Sequence, residues 1–114
     1  MVQLRLQSVL AENLGDEIVV DRFPFVIGRH EDCHHRLDFA FVSRRHCCFY
    51  LRSNQIWVMD LESANGTSLN GERLTSPQKI RHGDQVGLGP LQFRITLKPG
   101  SQETLDVDLT LRDR

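Results

Sequence analysis

Short stretches of alternating apolar and polar residues, separated by turn-forming residues, run through most of this chain. Leu4, Leu6 and Leu10 share one parity, with polar side chains between them, and comparable stretches recur as far as Leu97. Side chains two residues apart lie on one face of a β-strand, so the pattern is typical of strands buried on one side. No long window has a helical period. The sequence therefore predicts an all-β fold, a sandwich of two antiparallel sheets.

Turn residues place the boundaries of the individual strands. Asn70-Gly71 suits a two-residue type I′ turn, and the segment 52–54 suits the turn of a hairpin. In the second strand of that hairpin we expect Trp57, Met59 and Leu61 to face the core. The predicted strands cover residues 2–10, 17–20, 23–28, 36–38, 46–51, 55–61, 68–70, 73–74, 79–80, 85–88 and 91–97.

Length, charge and cysteine content narrow the class of protein. The 114 residues fit one domain, which we place at 1–98, with a C-terminal tail or linker at 99–114. A net charge of −1 provides no basic field for nucleic acid, and no apolar run is long enough for a membrane span. Three cysteines, two of them adjacent, form no disulfide framework, which favours a cytoplasmic protein with reduced thiols.

Three polar stretches follow or precede predicted strands and carry the functional chemistry. They are Gly28-Arg29, the segment Ser43-Arg44-Arg45-His46, and the segment 65–71 that begins with Asn65. A phosphorylated side chain needs a guanidinium for its charge and neutral donors for its remaining oxygens. An extended peptide also needs partners for its backbone, which an asparagine amide can provide. These stretches favour binding of a phosphorylated peptide.

The ordered set of these stretches resembles the forkhead-associated (FHA) domain, a phosphothreonine-peptide recognition module. The similarity rests on Gly28-Arg29, on Ser43-x-x-His46, on Asn65-Gly66-Thr67 and on Asn70-Gly71, and it covers roughly Leu4 to Leu97. The resemblance implies an eleven-stranded antiparallel β-sandwich with the peptide bound by loops at one end. It also implies a signalling role in protein–protein interaction, with no enzymatic activity, cofactor or metal.

The resemblance assigns roles to individual residues. Arg29, Ser43 and Arg44 would contact phosphate, and Asn65 would hold the peptide backbone. Phe41, two residues before the motif serine, implies an apolar preference for the third residue after the phosphothreonine. Ala64 stands where the family often has a serine or threonine, so either affinity is reduced or Ser63 compensates. The residues expected to support the site are Gly28, His46, Gly66, Thr67, Asn70 and Gly71.

Other interpretations of the same residues stay open at this point. Ser43 and His46 could form the nucleophile and base of a small hydrolase, although a spacing of three turns their side chains to opposite faces of a strand. A zinc site is another alternative, because half of a zinc-binding pattern is present in His30, Cys33, His34 and His35.

Two alternatives concern the ligand. The loops could belong to a scaffold that has lost ligand binding. A phosphorylated threonine of the tail, Thr104 or Thr110, could also occupy the chain's own site.

Overall fold

The computed structural model describes residues 2–9 and 17–99. Eleven β-strands and no helix occur in these two ranges. The strands are β1 (Val2–Ser8), β2 (Glu17–Val20), β3 (Phe25–Gly28), β4 (His35–Arg36), β5 (Cys47–Arg52), β6 (Gln55–Asp60), β7 (Thr67–Leu69), β8 (Glu72–Arg73), β9 (Gln78–Lys79), β10 (Gln85–Leu88) and β11 (Leu91–Pro99).

The strands form the two sheets of a sandwich, which confirms the predicted architecture. One sheet has six strands in the order β2-β1-β11-β10-β7-β8, and the other has five in the order β4-β3-β5-β6-β9. One pair departs from the antiparallel expectation, because β3 and β4 run parallel and align Gly28 with Arg36. This pairing brings the start of the loop after β3 beside β4.

The core lies between the sheets and is built from alternate residues of their strands. The fully buried apolar side chains include Leu4, Leu6, Ile18, Ile27, Phe49, Val58, Val86, Leu88 and Ile95. Burial of one such side chain contributes about 1.5–3 kcal/mol. The period-two pattern of the sequence is therefore the pattern of burial, and it fixes which face of each sheet turns inward.

The expected core stripe in β6 is wrong. Ile56 and Val58 are buried, whereas Trp57, Met59 and Leu61 are only partly buried. Both parities of this strand are apolar, so periodicity could not choose between them. The choice is made by the register with β5, which pairs Val58 with the fully buried Phe49.

The turns follow their predicted chemistry. Ser53 and Asn54 have φ values of 53° and 62° in the β5–β6 turn, and Asn70 and Gly71 have 53° and 87° in the β7–β8 turn. Two consecutive positive φ values are typical of the type I′ turn, whose twist matches that of the flanking strands. Pro24 directly precedes β3, an inner strand, so it marks a strand start and not a sheet edge.

Several expectations concern residues that the structure does not describe. They are Leu10 in the first predicted strand and the tail with Thr104 and Thr110. The boundary between domain and tail therefore stays a prediction, with β11 reaching Pro99. The described residues contain no helix with the length and apolarity that a membrane crossing requires.

Candidate functional site

Three loops meet at one end of the sandwich and carry the polar stretches identified in the sequence. They are the β3–β4 loop at 29–34, the β4–β5 loop at 37–46 and the β6–β7 loop at 61–66. The backbone N–H of Arg29 donates to the Ser43 carbonyl at 2.9 Å, and the Asn65 amide donates to the Phe41 carbonyl at 2.8 Å. Main-chain and side-chain hydrogen bonds thus hold the loops together.

Gly28 permits the closest approach between two of these loops. A Cβ atom built on Gly28 would lie 2.1 Å from the carbonyl oxygen of Arg44, a separation that no side chain tolerates. The next residue but one, His30, donates its backbone N–H to the same carbonyl at 3.1 Å. The glycine is therefore required for contact between backbones, which sets the separation of Arg29 from Arg44.

Arg29 is oriented by its own Nε–H group, which donates to the Val42 carbonyl at 2.8 Å. This bond leaves the terminal amino groups of the guanidinium for another acceptor. Arg29 lines a cleft of about 250 Å³ whose other lining residues are His30, Glu31, Arg36, Asp38 and Arg44. Three guanidiniums against two carboxylates make the lining net cationic, which suits a doubly charged anion.

The hydroxyl group of Ser43 acts as a hydrogen-bond acceptor within the protein. Its Oγ atom accepts a hydrogen bond of 2.9 Å from the backbone N–H of Ala64. A hydroxyl has one hydrogen to donate, and this contact uses a lone pair, so the hydrogen is still available. Ser43 can therefore donate to an acceptor placed between the β4–β5 and β6–β7 loops.

Two neighbouring arginines of the Ser43 stretch differ in their surroundings. Arg44 lines the cleft with Arg29, whereas Arg45 forms a 2.6 Å ion pair with Asp32. The carboxylate of Asp32 also contacts the Nδ1 atom of His30 at 2.7 Å. The structure thus brings Arg29 and Arg44 together at the cleft and engages Arg45 elsewhere.

Asn65 is exposed at the tip of the β6–β7 loop. Its Nδ2 group donates to Phe41, which fixes the orientation of the amide. The Oδ1 atom and the second N–H of this amide point to no partner in the described part of the chain. One acceptor and one donor on a single group match the backbone of an extended peptide.

His46 is fully buried and connects two of the loops. Its Nδ1 atom accepts from the Ser43 backbone N–H at 3.1 Å, and its Nε2–H donates to the Gly66 carbonyl at 2.8 Å. Since both ring nitrogens have backbone partners, the imidazole cannot take a proton from the Ser43 hydroxyl. These two residues do not form the nucleophile–base pair of a hydrolase.

Asp60 organises the β6–β7 loop from the end of β6. Its carboxylate accepts hydrogen bonds from the hydroxyls of Ser63 and Thr67 and, at 3.1 Å, from the Ser63 backbone N–H. Burial raises the pKa of Asp60, but the hydrogen bonds from Ser63 and Thr67 outweigh it, so the pKa lies below its usual value.

Ser63 is occupied within this network. Its hydroxyl donates to Asp60 and accepts from the Gly66 backbone N–H at 2.9 Å, and the residue is buried. It cannot also reach a ligand, so the structure contradicts the alternative in which Ser63 compensates for the missing hydroxyl at Ala64.

The remaining motif residues hold the scaffold of the site. Thr67 is fully buried on Asp60, and Gly66 has a φ of 84°. Asn70 accepts from the Gln85 backbone N–H at 2.9 Å and donates to Asp84 at 3.1 Å, which ties the β7–β8 turn to β10. Gly71 completes that turn.

The cysteine and histidine cluster serves local packing. Over residues 2–9 and 17–99, no three His, Cys, Asp or Glu side chains are arranged to hold a metal ion. The Nδ1 atom of His34 accepts from the Val26 backbone N–H at 2.9 Å, and the Cys33 thiol donates to the Arg44 carbonyl. Burial raises the pKa of the Cys47 thiol far above its usual value, so this cysteine is an unreactive core residue.

Sequence reasoning missed Arg36, which lies in the cleft. Its Nε–H donates to the Arg29 carbonyl at 2.8 Å, and its terminal nitrogen lies 3.6 Å from Asp38. The parallel pairing of β4 with β3 places it there. A single arginine outside the motif stretches carries no signal of its own, so only the fold could reveal it.

The chain matches a family model over more than half its length. Residues 25–89 match the FHA domain model. The chain is 36% identical over 94 residues to the glycogen accumulation regulator GarA of Mycobacterium tuberculosis, with 82% of this chain and 56% of that protein covered. It is also 36% identical over 91 residues to the oxoglutarate dehydrogenase inhibitor of Corynebacterium jeikeium, with 80% and 61% covered.

Comparison with solved structures agrees. One of them, from a structural and functional analysis of phosphothreonine-dependent FHA domain interactions, superposes with a TM-score of 0.75 at 27% identity. The superposition covers 85% of this chain and 98% of that one. The chain spans little more than half the length of the curated relatives it matches. From its fold and its matched residues, the chain belongs to the FHA domain family.

Proposed function

We propose that this domain is a non-catalytic module that recognises phosphothreonine in a partner protein, so that the contact between the two proteins depends on phosphorylation. The observation that carries the proposal is the direction of the hydrogen bond at the Ser43 hydroxyl. Its hydroxyl accepts from the Ala64 backbone and keeps its hydrogen for a ligand, beside a cleft lined by Arg29 and Arg44. A phosphate monoester has the charge and the acceptors that these three groups match.

The proposed ligand is held at two places. Arg29, Arg44 and Ser43 bind the phosphate oxygens. Asn65 binds the peptide backbone through the Oδ1 atom and the second N–H of its amide, which the hydrogen bond to Phe41 does not use. The support for a phosphothreonine ligand in particular is membership of the FHA family and similarity to a domain studied for phosphothreonine-dependent interactions.

The same geometry supports a non-catalytic role. His46, the imidazole nearest to the Ser43 backbone, has both nitrogens bound to backbone groups. The relatives named as a regulator and an inhibitor agree with a binding role. We further propose a reducing compartment such as the cytoplasm, which the three unpaired cysteines support.

Phe41 is proposed to set the preference for the third residue after the phosphothreonine. The side chain is partly buried and stacks on Phe39 with the ring centroids 5.3 Å apart. An aromatic surface at this edge of the site favours an apolar side chain. An oriented phosphopeptide library that selected aspartate at this position would contradict the proposal.

Ala64 supports a second candidate, a scaffold whose loops no longer bind a ligand. Its side chain is exposed and adds no hydroxyl, and Ser63 cannot replace one. Against this candidate, hydrogen bonds orient Arg29 and Asn65, and Arg44 lines the same cleft as Arg29.

Fluorescence anisotropy with labelled peptides that differ only in a phosphate on one threonine separates the two candidates. A recognition module binds the phosphorylated form, and Arg29→Ala weakens that binding about ten- to hundred-fold, since a charged hydrogen bond contributes about 1.5–3 kcal/mol. Equal binding of phosphorylated and unphosphorylated peptides across a randomised library, or no binding of either, would exclude the proposed function.

A further inference from the structure

The side chain of Arg73 lies against the loop that carries Asn65. A Cβ atom built on Gly66 would come within 2.6 Å of the Nε atom and 2.8 Å of the Cζ atom of Arg73. Arg73 pairs with Ser68 across the β7–β8 ladder, so its side chain runs back along β7 to reach Gly66. The guanidinium is therefore held beside the backbone that immediately follows Asn65.

This guanidinium has no anionic partner. Arg73 is exposed, and within the two described ranges its side chain makes no hydrogen bond or ion pair. Glu72, the neighbour of Arg73 in the edge strand β8, forms no ion pair with it in the described ranges. A cation that is positioned by packing but left without a counter-charge can bind an anionic group of a ligand.

Arg73 also lines a groove of about 470 Å³. Its other lining residues are Leu69, Asn70, Glu72, Leu74, Thr75 and Gln78. Arg73 contacts the Asn65 loop on one side and lines this groove on the other. A peptide that is held at Asn65 and continues towards β8 would pass this guanidinium.

We propose that Arg73 is a specificity-determining residue. It selects an acidic side chain in the part of the phosphopeptide that runs from Asn65 towards this groove. The inference rests on the proposed function and deepens it. A carboxylate matches the forked geometry of the guanidinium. Because the pair is exposed, its effect on affinity is a few-fold and weakens as salt is added.

The test is a phosphothreonine peptide library, randomised on both sides of the phosphothreonine, applied to four proteins. They are the unmodified protein, Arg73→Gln, Arg73→Glu and the control Arg94→Gln. Arg94 is an exposed arginine of β11 with no counter-charge in the described part of the chain, and it lies between the buried Phe93 and Ile95, so it faces outward from the six-stranded sheet. Its substitution removes the same charge from a strand that β10 and β7 separate from β8 in the same sheet.

We expect the unmodified protein and Arg94→Gln to select aspartate or glutamate at one position on one side of the phosphothreonine. Arg73→Gln should lose this selection, and Arg73→Glu should replace it with lysine or arginine. For a single peptide with aspartate at that position, Arg73→Gln should bind roughly two- to five-fold more weakly, with no change for the alanine version of the same peptide.

The possible outcomes distinguish failure of this inference from failure of the proposed function. Phosphorylation-dependent binding with no acidic selection, or with a selection that Arg73→Glu leaves unchanged, overturns the inference and leaves the proposed function standing. Loss of phosphorylation dependence in the unmodified protein overturns both. Because Arg73→Gln is uncharged and keeps the Cβ and Cγ atoms of the arginine side chain, it serves as the decisive variant if Arg73→Glu does not fold.

Discussion

The Oγ atom of Ser43 lies 2.9 Å from the backbone nitrogen of Ala64, across the space between the β4–β5 and β6–β7 loops. The bond uses the hydroxyl as an acceptor and so determines the direction in which its hydrogen is available. It also makes the position of the hydroxyl depend on two loops at once. The chemistry of the site therefore relies on the way in which these loops are joined.

Arg44 and Arg45 provide a matched pair of substitutions. Arg44→Ala should weaken phosphopeptide binding about tenfold, because it removes one of the guanidiniums of the cleft that we propose to bind phosphate. Arg45→Ala should change the affinity less than about twofold, since this arginine is paired with Asp32. Isothermal titration calorimetry with one phosphothreonine peptide measures both. An equal loss in the two variants would contradict the different positions of these neighbours.

Adding a hydroxyl at position 64 should strengthen the site. Ala64→Thr places a donor beside Ser43 with no change to the backbone N–H that bonds to it, and we expect phosphopeptide affinity to rise about three- to tenfold. The same titration measures the gain, with Gln55→Thr, at an exposed position of β6 outside these loops, as the control. Unchanged or weaker binding in Ala64→Thr would show that the hydroxyl finds no acceptor on the ligand.

Removal of His46 should destabilise the whole domain. His46→Ala leaves the Ser43 N–H and the Gly66 carbonyl without their buried partner and opens a cavity, so the free energy of unfolding should fall by about 2–4 kcal/mol. Urea denaturation followed by Trp57 fluorescence measures it. His82→Ala is the control, because His82 is exposed and water can replace it as the acceptor for the Leu97 N–H. Similar losses in the two variants would refute the structural role of His46.

Protonation of Asp60 should lower the stability of the domain at acid pH. Its pKa in the folded state is below the unfolded value near 3.8, so the stabilisation is present above that value and is lost as the pH falls through the lower folded pKa. Asp60→Asn should reduce the slope of unfolding free energy against pH between about pH 4 and pH 2.

The comparison for this acid dependence is Glu62→Gln, an exposed carboxylate two residues away. Its slope should match that of the unmodified protein. If the Asp60→Asn protein keeps the full slope, the hydrogen bonds from Ser63 and Thr67 do not favour the ionised carboxylate.

Most of the sandwich could be predicted from the sequence because polar residues alternate with apolar ones. In β2 and β10 the predicted and observed bounds agree, and the Asn70-Gly71 turn has the positive φ values that its residues allow. Alternation predicted the wrong inward face for β6, because Trp57 and Met59 are apolar like the buried Val58. There the inward face is decided by long-range register, which a local pattern does not contain.

The site could be predicted only as a set of residue types in order. The sequence identified Arg29, Ser43 and Asn65 as a group, and the structure brings their loops together. Arg36 and Arg73 could not be found in this way, since neither lies in a motif stretch and only the β3–β4 and β7–β8 pairings show where they are placed. The use of both ring nitrogens of His46 likewise depends on loops that meet only in the folded chain.

The contact of Gly28 with the Arg44 carbonyl has a consequence for how such domains diverge. Because the two loops touch through their backbones, the separation of Arg29 from Arg44 is set by main-chain contact. Phe41, Ala64 and Arg73 lie outside this contact, so substitutions there can redirect the domain to another partner while the proposed phosphate contacts are inherited unchanged.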